Sequence, residues 1–181
     1  MTLHYVSAMA TDTTMDERLK QRFLSEAYFM RAYYYFHLVR IFGGVPLTLQ
    51  IENDAERWEM PRNSVAEVFN QIIADLKKAN KGLWHRSEYD PKDLGRATKG
   101  AAQGLLQKVY LYMASPYWHD TYLSSMSRDS LYRASKEWGD SLILSGEYQL
   151  MNDYEFNFTL AGENNAESVF ELQYMEVNWG D

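Results

Sequence analysis

Apolar residues recur every three or four positions in four long stretches of this chain, and that spacing predicts four helices. The first covers residues 15–42. Leu19, Phe23, Ala27, Met30, Tyr34 and Leu38 form its stripe, and Phe29, Tyr33 and Phe36 widen it, so this helix is expected to pack on two sides. Thr14-Met15-Asp16-Glu17 has the form of a capping box at its start, and Gly43 supplies a residue without Cβ for a left-handed cap at its end. The second helix covers residues 64–80. It opens on the box Ser64-Val65-Ala66-Glu67 and carries Val65, Val68, Phe69, Ile72, Leu76, Ala79 and Leu83 on one face. The third covers 98–115, with Gly100, Ala101, Ala102 and Gly104 small enough for a neighbouring helix to come close. Ser115-Pro116 stops it and leaves Tyr117, Trp118 and His119 in a loop. The fourth covers 128–145 on a stripe of Leu131, Ala134, Trp138 and Leu142, with Gly146 as its cap.

Between and beyond these helices the period shortens. Leu47, Leu49 and Ile51 alternate with polar residues, as do Phe156, Phe158 and Leu160, and again Phe170, Leu172 and Tyr174. Short strands are expected near 45–50, 154–160 and 168–175. Before the first long helix, Leu3, Tyr5, Val6 and Met9 fall on one side of a short helix, a weak signal. The fold class is therefore mainly α. Consecutive helices that can pair antiparallel and stack follow the logic of a tetratricopeptide-like solenoid, although no strict repeat of about 34 residues is present.

Composition narrows the function more than the fold. A net charge of −7 deprives the chain of the field that attracts phosphate backbones, so nucleic acid is not an expected partner. The chain has no cysteine, which removes disulfides, thiolate metal sites and a Cys nucleophile from this stretch. His4, His37, His85 and His119 have no metal-ligand spacing. There is no phosphate-cradling glycine loop and no Gly-x-Ser-x-Gly elbow. Glu52, Asp54, Glu56 and Glu59 read as a solvated loop. No cofactor, metal or catalytic residue is expected. The 14 Tyr and 5 Trp are the distinctive resource, because such rings combine an apolar face with one polar handle and stack well on sugars. The loop aromatics Trp58, Trp84, Tyr117, Trp118 and Tyr122 are the candidate ligand contacts.

Four separated segments carry a family resemblance. The first is Arg22-Phe23-Leu24-Ser25-Glu26-Ala27-Tyr28-Phe29-Met30-Arg31-Ala32-Tyr33-Tyr34-Tyr35-Phe36, followed by Leu38-Val39-Arg40 and Phe42-Gly43-Gly44-Val45-Pro46-Leu47. The second is Arg62-Asn63-Ser64-Val65-Ala66-Glu67-Val68-Phe69. The third is Gly95-Arg96-Ala97-Thr98-Lys99-Gly100-Ala101-Ala102, continuing to Lys108-Val109-Tyr110-Leu111-Tyr112 and Ala114-Ser115-Pro116. The fourth is Ser145-Gly146-Glu147-Tyr148-Gln149-Leu150, with Asn164-Asn165 and Glu167-Ser168-Val169-Phe170-Glu171-Leu172-Gln173 after it. In this order they resemble the SusD/RagB-like family of outer-membrane, nutrient-binding lipoproteins.

The resemblance implies a SusD-like α-helical scaffold of tetratricopeptide-like helix pairs, and a single partial domain over 1–181. The lipid anchor and a C-terminal part would lie outside it. It also implies a cell-surface protein without catalysis or cofactor, held at the outer membrane by a lipidated Cys beyond this chain. Such a protein captures oligosaccharide and passes it to a SusC-like TonB-dependent transporter. The alternative class is a tetratricopeptide-like protein–protein interaction scaffold.

Overall fold

The computed structural model describes residues 2–49 and 59–173. Among them six α-helices follow in order: α1 (Thr2–Ala8), α2 (Glu17–Phe42), α3 (Val65–Gly82), α4 (Lys99–Ala114), α5 (Pro116–Tyr122) and α6 (Arg128–Ile143). The protein is mainly α, with α2 paired to α3, α4 paired to α6, and the two pairs joined by packing of α3 on α4. The short α1 packs on α2.

The start of α2 differs from the expected box. Asp16, not Thr14, is the cap: its carboxylate accepts from the Leu19 amide at 2.7 Å. Thr14 is engaged elsewhere, since its amide and hydroxyl both donate to Asp12 at 2.7 Å. A charged carboxylate is also the better acceptor at the positive end of a helix. At the other end Gly43 takes φ 70° and its amide donates to the Val39 carbonyl at 2.9 Å. The helix has 26 residues, so it is about 39 Å long.

The buried face of α2 is Phe29, Ala32, Phe36 and Val39, whereas Tyr34 and Leu38 from the expected stripe are exposed. The sequence is apolar almost all round here, so periodicity alone does not choose a face. The choice is made by α3. Asp75 on α3 is fully buried and accepts from Arg31 Nε and Nη2, both at 2.7 Å, and from Gln71 Nε2 at 2.9 Å. A buried carboxylate needs such partners. The pair fixes α2 and α3 antiparallel and in register. Near one end Gly82 approaches Ser25 so closely that a Cβ there would meet Ser25 Oγ at 2.3 Å; near the other, a Cβ at Gly43 would lie 3.9 Å from Val65.

The capping box of α3 forms as expected: the Glu67 amide donates to Ser64 Oγ at 3.2 Å and the Ser64 amide to Glu67 Oε2 at 2.7 Å. Its predicted stripe, from Val65 to Ala79, is buried, and Leu83 is buried just beyond. On α4 the small residues permit close approach, as expected, but of two different neighbours. Gly104 faces Leu142 of α6, while Gly100 leaves room for the Tyr148 ring. Ser135 Oγ on α6 donates to the Gln107 carbonyl of α4 at 3.0 Å. The buried positions of α6 are Leu131, Ser135 and Gly139, a stripe rotated slightly from the expected one.

Two further expectations fail. Ser115-Pro116 ends α4 but does not begin a loop: Pro116 occupies the first turn of α5, so Tyr117, Trp118 and Tyr122 are helical. Proline suits that position because its missing N–H is unneeded there and its φ is already helical. The expected strands are also absent among the described residues. Residues 154–160 form 3-10 turns, Glu155–Phe158 and Leu160–Gly162. Near 45–49, backbone amides are satisfied by side chains instead of a neighbouring strand: Leu47 N–H donates to Asn63 Oδ1 at 3.0 Å and Thr48 N–H to the Tyr35 hydroxyl at 2.8 Å. Near 164–168 the Arg86 guanidinium donates to the carbonyls of Asn164, Asn165 and Ser168 at 2.6, 2.9 and 3.1 Å. Arg86 thus holds the loop that precedes the third expected strand and takes the carbonyl of its first residue, Ser168. Phe170 closes over α2, its ring 5.0 Å from that of Phe29. Residue 50 and residues 174–175, the ends of two expected strands, lie outside the described residues.

Replacing Asp75 by Ala leaves Arg31 without its partner. The expected cost is about 3 kcal/mol in urea unfolding, at the low end for a broken buried pair because Arg31 keeps some access to water. The paired change Arg31→Met with Asp75→Leu is expected to recover most of that loss.

Candidate functional site

Of the five candidate aromatics, Trp58 lies outside the described residues. The other four separate into two places.

Trp84 follows α3 and is drawn into a charged cluster. The guanidinium carbons of Arg18 and Arg22 lie 4.4 and 4.5 Å from its ring centroid, and Tyr89 packs on it at 5.6 Å. Arg22 is buried and donates to Asp93 Oδ2 at 2.9 Å; Arg96 donates to Asp93 Oδ1 and Glu26 Oε2, each at 2.9 Å. Burial pushes the Glu26 carboxyl up despite these arginines. Burial, with the nearby Glu26 charge, pushes the Tyr89 phenol up to about 12. The π-face of Trp84 is therefore already engaged by cations of the same chain.

Beside this cluster Arg86, Tyr89, Asp93, Arg96, Asn164 and Glu171 help line a cavity of about 50 Å³. That volume suits one or two waters and falls well short of the roughly 300–1,000 Å³ typical of an enclosed small-molecule site.

Tyr117, Trp118 and Tyr122 are brought together on α5. The Trp118 ring lies 5.2 Å from that of Tyr117 and 5.6 Å from that of Tyr122, and the two tyrosines are 6.1 Å apart with their planes at 72°. Their roles differ. Trp118 is only 6% exposed and is wedged against Phe69 of α3 at 5.7 Å and Tyr112 of α4 at 5.8 Å. Tyr117 and Tyr122 are 62% and 43% exposed. A buried indole thus anchors two outward phenols. Hydrogen bonding with Tyr122 pushes the Tyr117 phenol up, which keeps it neutral. Among the described residues no Arg or Lys stacks on any of the three rings, in contrast to Trp84.

The turn from α5 to α6 is held by His119, Asp120 and Arg128. His119 Nε2 lies 2.9 Å from the Met126 carbonyl and so carries a proton. Its Nδ1 has two neighbours of opposite demand, Asp120 Oδ1 at 2.8 Å and Arg128 Nη2 at 3.1 Å. A neutral ring accepts from Arg128 there, whereas a protonated ring donates to Asp120. Asp120 also pairs directly with Arg128. The contact with Asp120, helped by the Met126 carbonyl, raises the His119 pKa above its usual 6.5. Hydrogen bonds from His119 and Arg128 hold the Asp120 carboxyl below its usual range.

The sequence did not single out Asp120 and Arg128 or the helical setting of the tyrosines. Placing Pro116 at the first position of a new helix would have set Trp118 and Tyr122 four residues apart on one face. A second exposed aromatic pair, Tyr154 and Phe158, was also missed; its rings are 5.2 Å apart, and Phe158 was expected in a half-buried strand.

Comparison with known proteins bears on this geometry. Residues 1–111 match a SusD-like family model described as starch-binding and associating with the outer membrane. A SusD-like protein of Bacteroides ovatus is 31% identical over 174 residues, which is 95% of this chain and 30% of that protein. The structure of a SusD superfamily protein from Parabacteroides distasonis superposes with a TM-score of 0.81 at 31% identity, covering 96% of this chain and 34% of that one. A laminarin-binding SusD-like protein superposes at 0.74 with 26% identity, covering 93% and 33%. The chain thus spans about a third of the length of the relatives it matches.

His119 gains its proton more readily in the folded chain than in the unfolded one, so its contribution to stability is full below pH 6.5 and is lost as pH rises through the raised folded value. Amide exchange in the α5–α6 turn is expected to quicken as pH rises above 6.5, beyond its intrinsic pH dependence, and His119→Gln is expected to flatten that excess.

Proposed function

This chain belongs to the SusD-like family, and from that premise we propose that it is part of a cell-surface protein that captures glycan. The bound chain is passed to a SusC-like TonB-dependent transporter, and the protein is held at the outer membrane by a lipid anchor. The family description names starch binding and association with the outer membrane, and a laminarin-binding relative shares the fold.

One observation carries the placement of ligand on this part of the protein. Tyr117 and Tyr122 are exposed, uncovered by cations and fixed from beneath by buried Trp118. Two rings at 72° offer a bent apolar surface to the CH faces of successive sugars. The exposed edges of both rings carry hydroxyls that a sugar hydroxyl can reach. Trp118 acts as their support, and Trp84 as part of the scaffold. The reading is binding without turnover: Asp120 is the carboxylate of the same short helix, and its pairing with Arg128 holds it ionised, unsuited to the proton-donating half of a glycosidase pair.

A second reading, docking of another protein, is favoured by a different surface. Tyr34, Leu38 and Ile41 make an exposed apolar stripe along α2. The two readings are compatible, because delivery to a transporter needs both a ligand face and a protein face.

The test is affinity electrophoresis of the full-length protein in gels containing laminarin, starch or xyloglucan. Retardation by at least one is expected. The double change Tyr117→Ala with Tyr122→Ala is expected to weaken it about tenfold or more, on the order of 0.5–1.5 kcal/mol for each ring lost. An unchanged mobility shift in the double variant removes the site from α5.

A further inference from the structure

The charges of this chain are divided sharply along its length. All 18 Lys and Arg lie in residues 1–136, while ten of the 25 Asp and Glu lie beyond them, so residues 137–181 are acidic without a single base. Within that acidic stretch the two 3-10 turns Glu155–Phe158 and Leu160–Gly162 form a knob. Tyr154, Phe158 and Leu160 on it are 74%, 75% and 88% exposed. We propose that this knob anchors a contact with another protein, one that offers an apolar pocket rimmed by Lys and Arg.

The knob is built to hold its shape. Glu167 Oε2 accepts from the Met151 amide at 2.9 Å and from Asn157 Nδ2 at 3.1 Å, which closes its base. Asn165 Nδ2 donates to Asn157 Oδ1 and to the Gly162 carbonyl, both at 2.7 Å. The Gly162 amide donates to Thr159 Oγ1 at 3.1 Å, and the Tyr154 and Phe158 rings lie 5.2 Å apart. The polar side chains of the segment are thus spent beneath it, and large apolar groups stand outward. Groups fixed in advance lose little freedom on binding, and a few of them can carry most of the energy of a protein contact.

Charge selects the occupant. Asp153, Glu155 and Glu163 are exposed on the same knob, and none pairs with Lys or Arg among the described residues. An apolar centre inside a charged rim is the anatomy of a contact between proteins. Burial in the fold's own interior would instead enclose three unpaired carboxylates. A second copy would set acids against the same acids. A lipid surface suits apolar faces flanked by Lys and Arg, the opposite of this flank. A sugar finds no hydrogen-bonding group on Phe158 or Leu160. A basic-rimmed protein pocket satisfies both the apolar centre and the acids.

The proposal is independent of Tyr117 and Tyr122, and photo-crosslinking tests it. The full-length protein carries p-benzoylphenylalanine in place of Phe158 or of Leu160, is illuminated in intact cells, and its cross-linked peptides are sequenced. The expected product joins the knob to a different protein at apolar residues flanked by Lys or Arg. Glu155→Lys with Glu163→Lys is expected to lower its yield about tenfold or more, with the thermal midpoint of the purified protein unchanged. If that pair lowers the midpoint, Glu155→Gln with Glu163→Gln removes the charge at nearly constant shape, and a fall of about threefold is expected. Cross-links confined to the same chain, to a second copy or to lipid overturn the proposal, as does the absence of any product. So does a partner site without Lys or Arg, or a yield indifferent to both pairs of changes.

Discussion

The bidentate contact between Arg31 and Asp75 is the constraint on which the rest of the helical array depends. Asp75 is fully buried in the middle of an otherwise apolar face. Sliding α3 along α2 by one turn would carry that carboxylate away from Arg31 and break both of its contacts with the guanidinium. The cost of an unpaired buried charge excludes such a slide far more strongly than loss of apolar contact would. Measured against a well-packed apolar pair, a buried ion pair adds little net stability; what it selects here is one register among several that an apolar helix surface would tolerate. The close approach of Gly82 to Ser25 is then a consequence, because only one register brings the residue without a side chain opposite the small one.

From that register the position of the candidate site follows in two steps. With one part of its face covered by α2, α3 turns Phe69 toward α4 and α5. Trp118 enters there, edge-on to Phe69 and tilted against Tyr112. The indole fixes α5, and α5 fixes the directions of Tyr117 and Tyr122. Rings held in this way lose little freedom when a ligand arrives, which favours binding on a surface too open to enclose a sugar. The short helix also depends on Ser115. Its hydroxyl donates to the Tyr112 carbonyl at 2.7 Å as α4 ends, and Pro116 starts the next turn directly.

The helices were legible in the sequence because their signals are local. Ser64 and Glu67 are three residues apart, and the α3 stripe is interrupted by polar residues on the opposite face. Where the signal was not local, the sequence misled. Tyr34 and Leu38 have the period of a buried stripe, yet the face that turns inward is chosen by Asp75, 44 residues beyond Arg31. Phe156, Phe158 and Leu160 have the alternation of a strand, but a strand requires a partner, and here the Thr159 and Gly162 amides bond to carbonyls three residues back, of Phe156 and Thr159. The candidate site was legible only as a list of aromatics. Sequence gave Trp118 and Tyr122 equal standing, and only the packing separates the buried anchor from the exposed ring. The family motifs behave accordingly. Arg31, Ala32, Phe36 and Gly43 are residues of helix pairing and capping, so they identify the scaffold and say nothing of its ligand.

The charges complete this division of labour. Arginines are the cations best suited to binding carboxylates in two-point contacts, and this chain pairs several of them with its own acids or carbonyls: Arg31 with Asp75, Arg22 and Arg96 with Asp93, Arg86 with a loop, Arg128 with Asp120. Each such contact ties segments that are distant in sequence or successive around a turn. Each of these guanidiniums is partly neutralised where it sits, so the contacts that fix the connections also set the local charge around them. What remains outward on α5 is phenol and carboxylate. On the reading proposed for α5, such a surface meets a partner through ring faces and hydroxyls, and the helices beneath hold those rings in place.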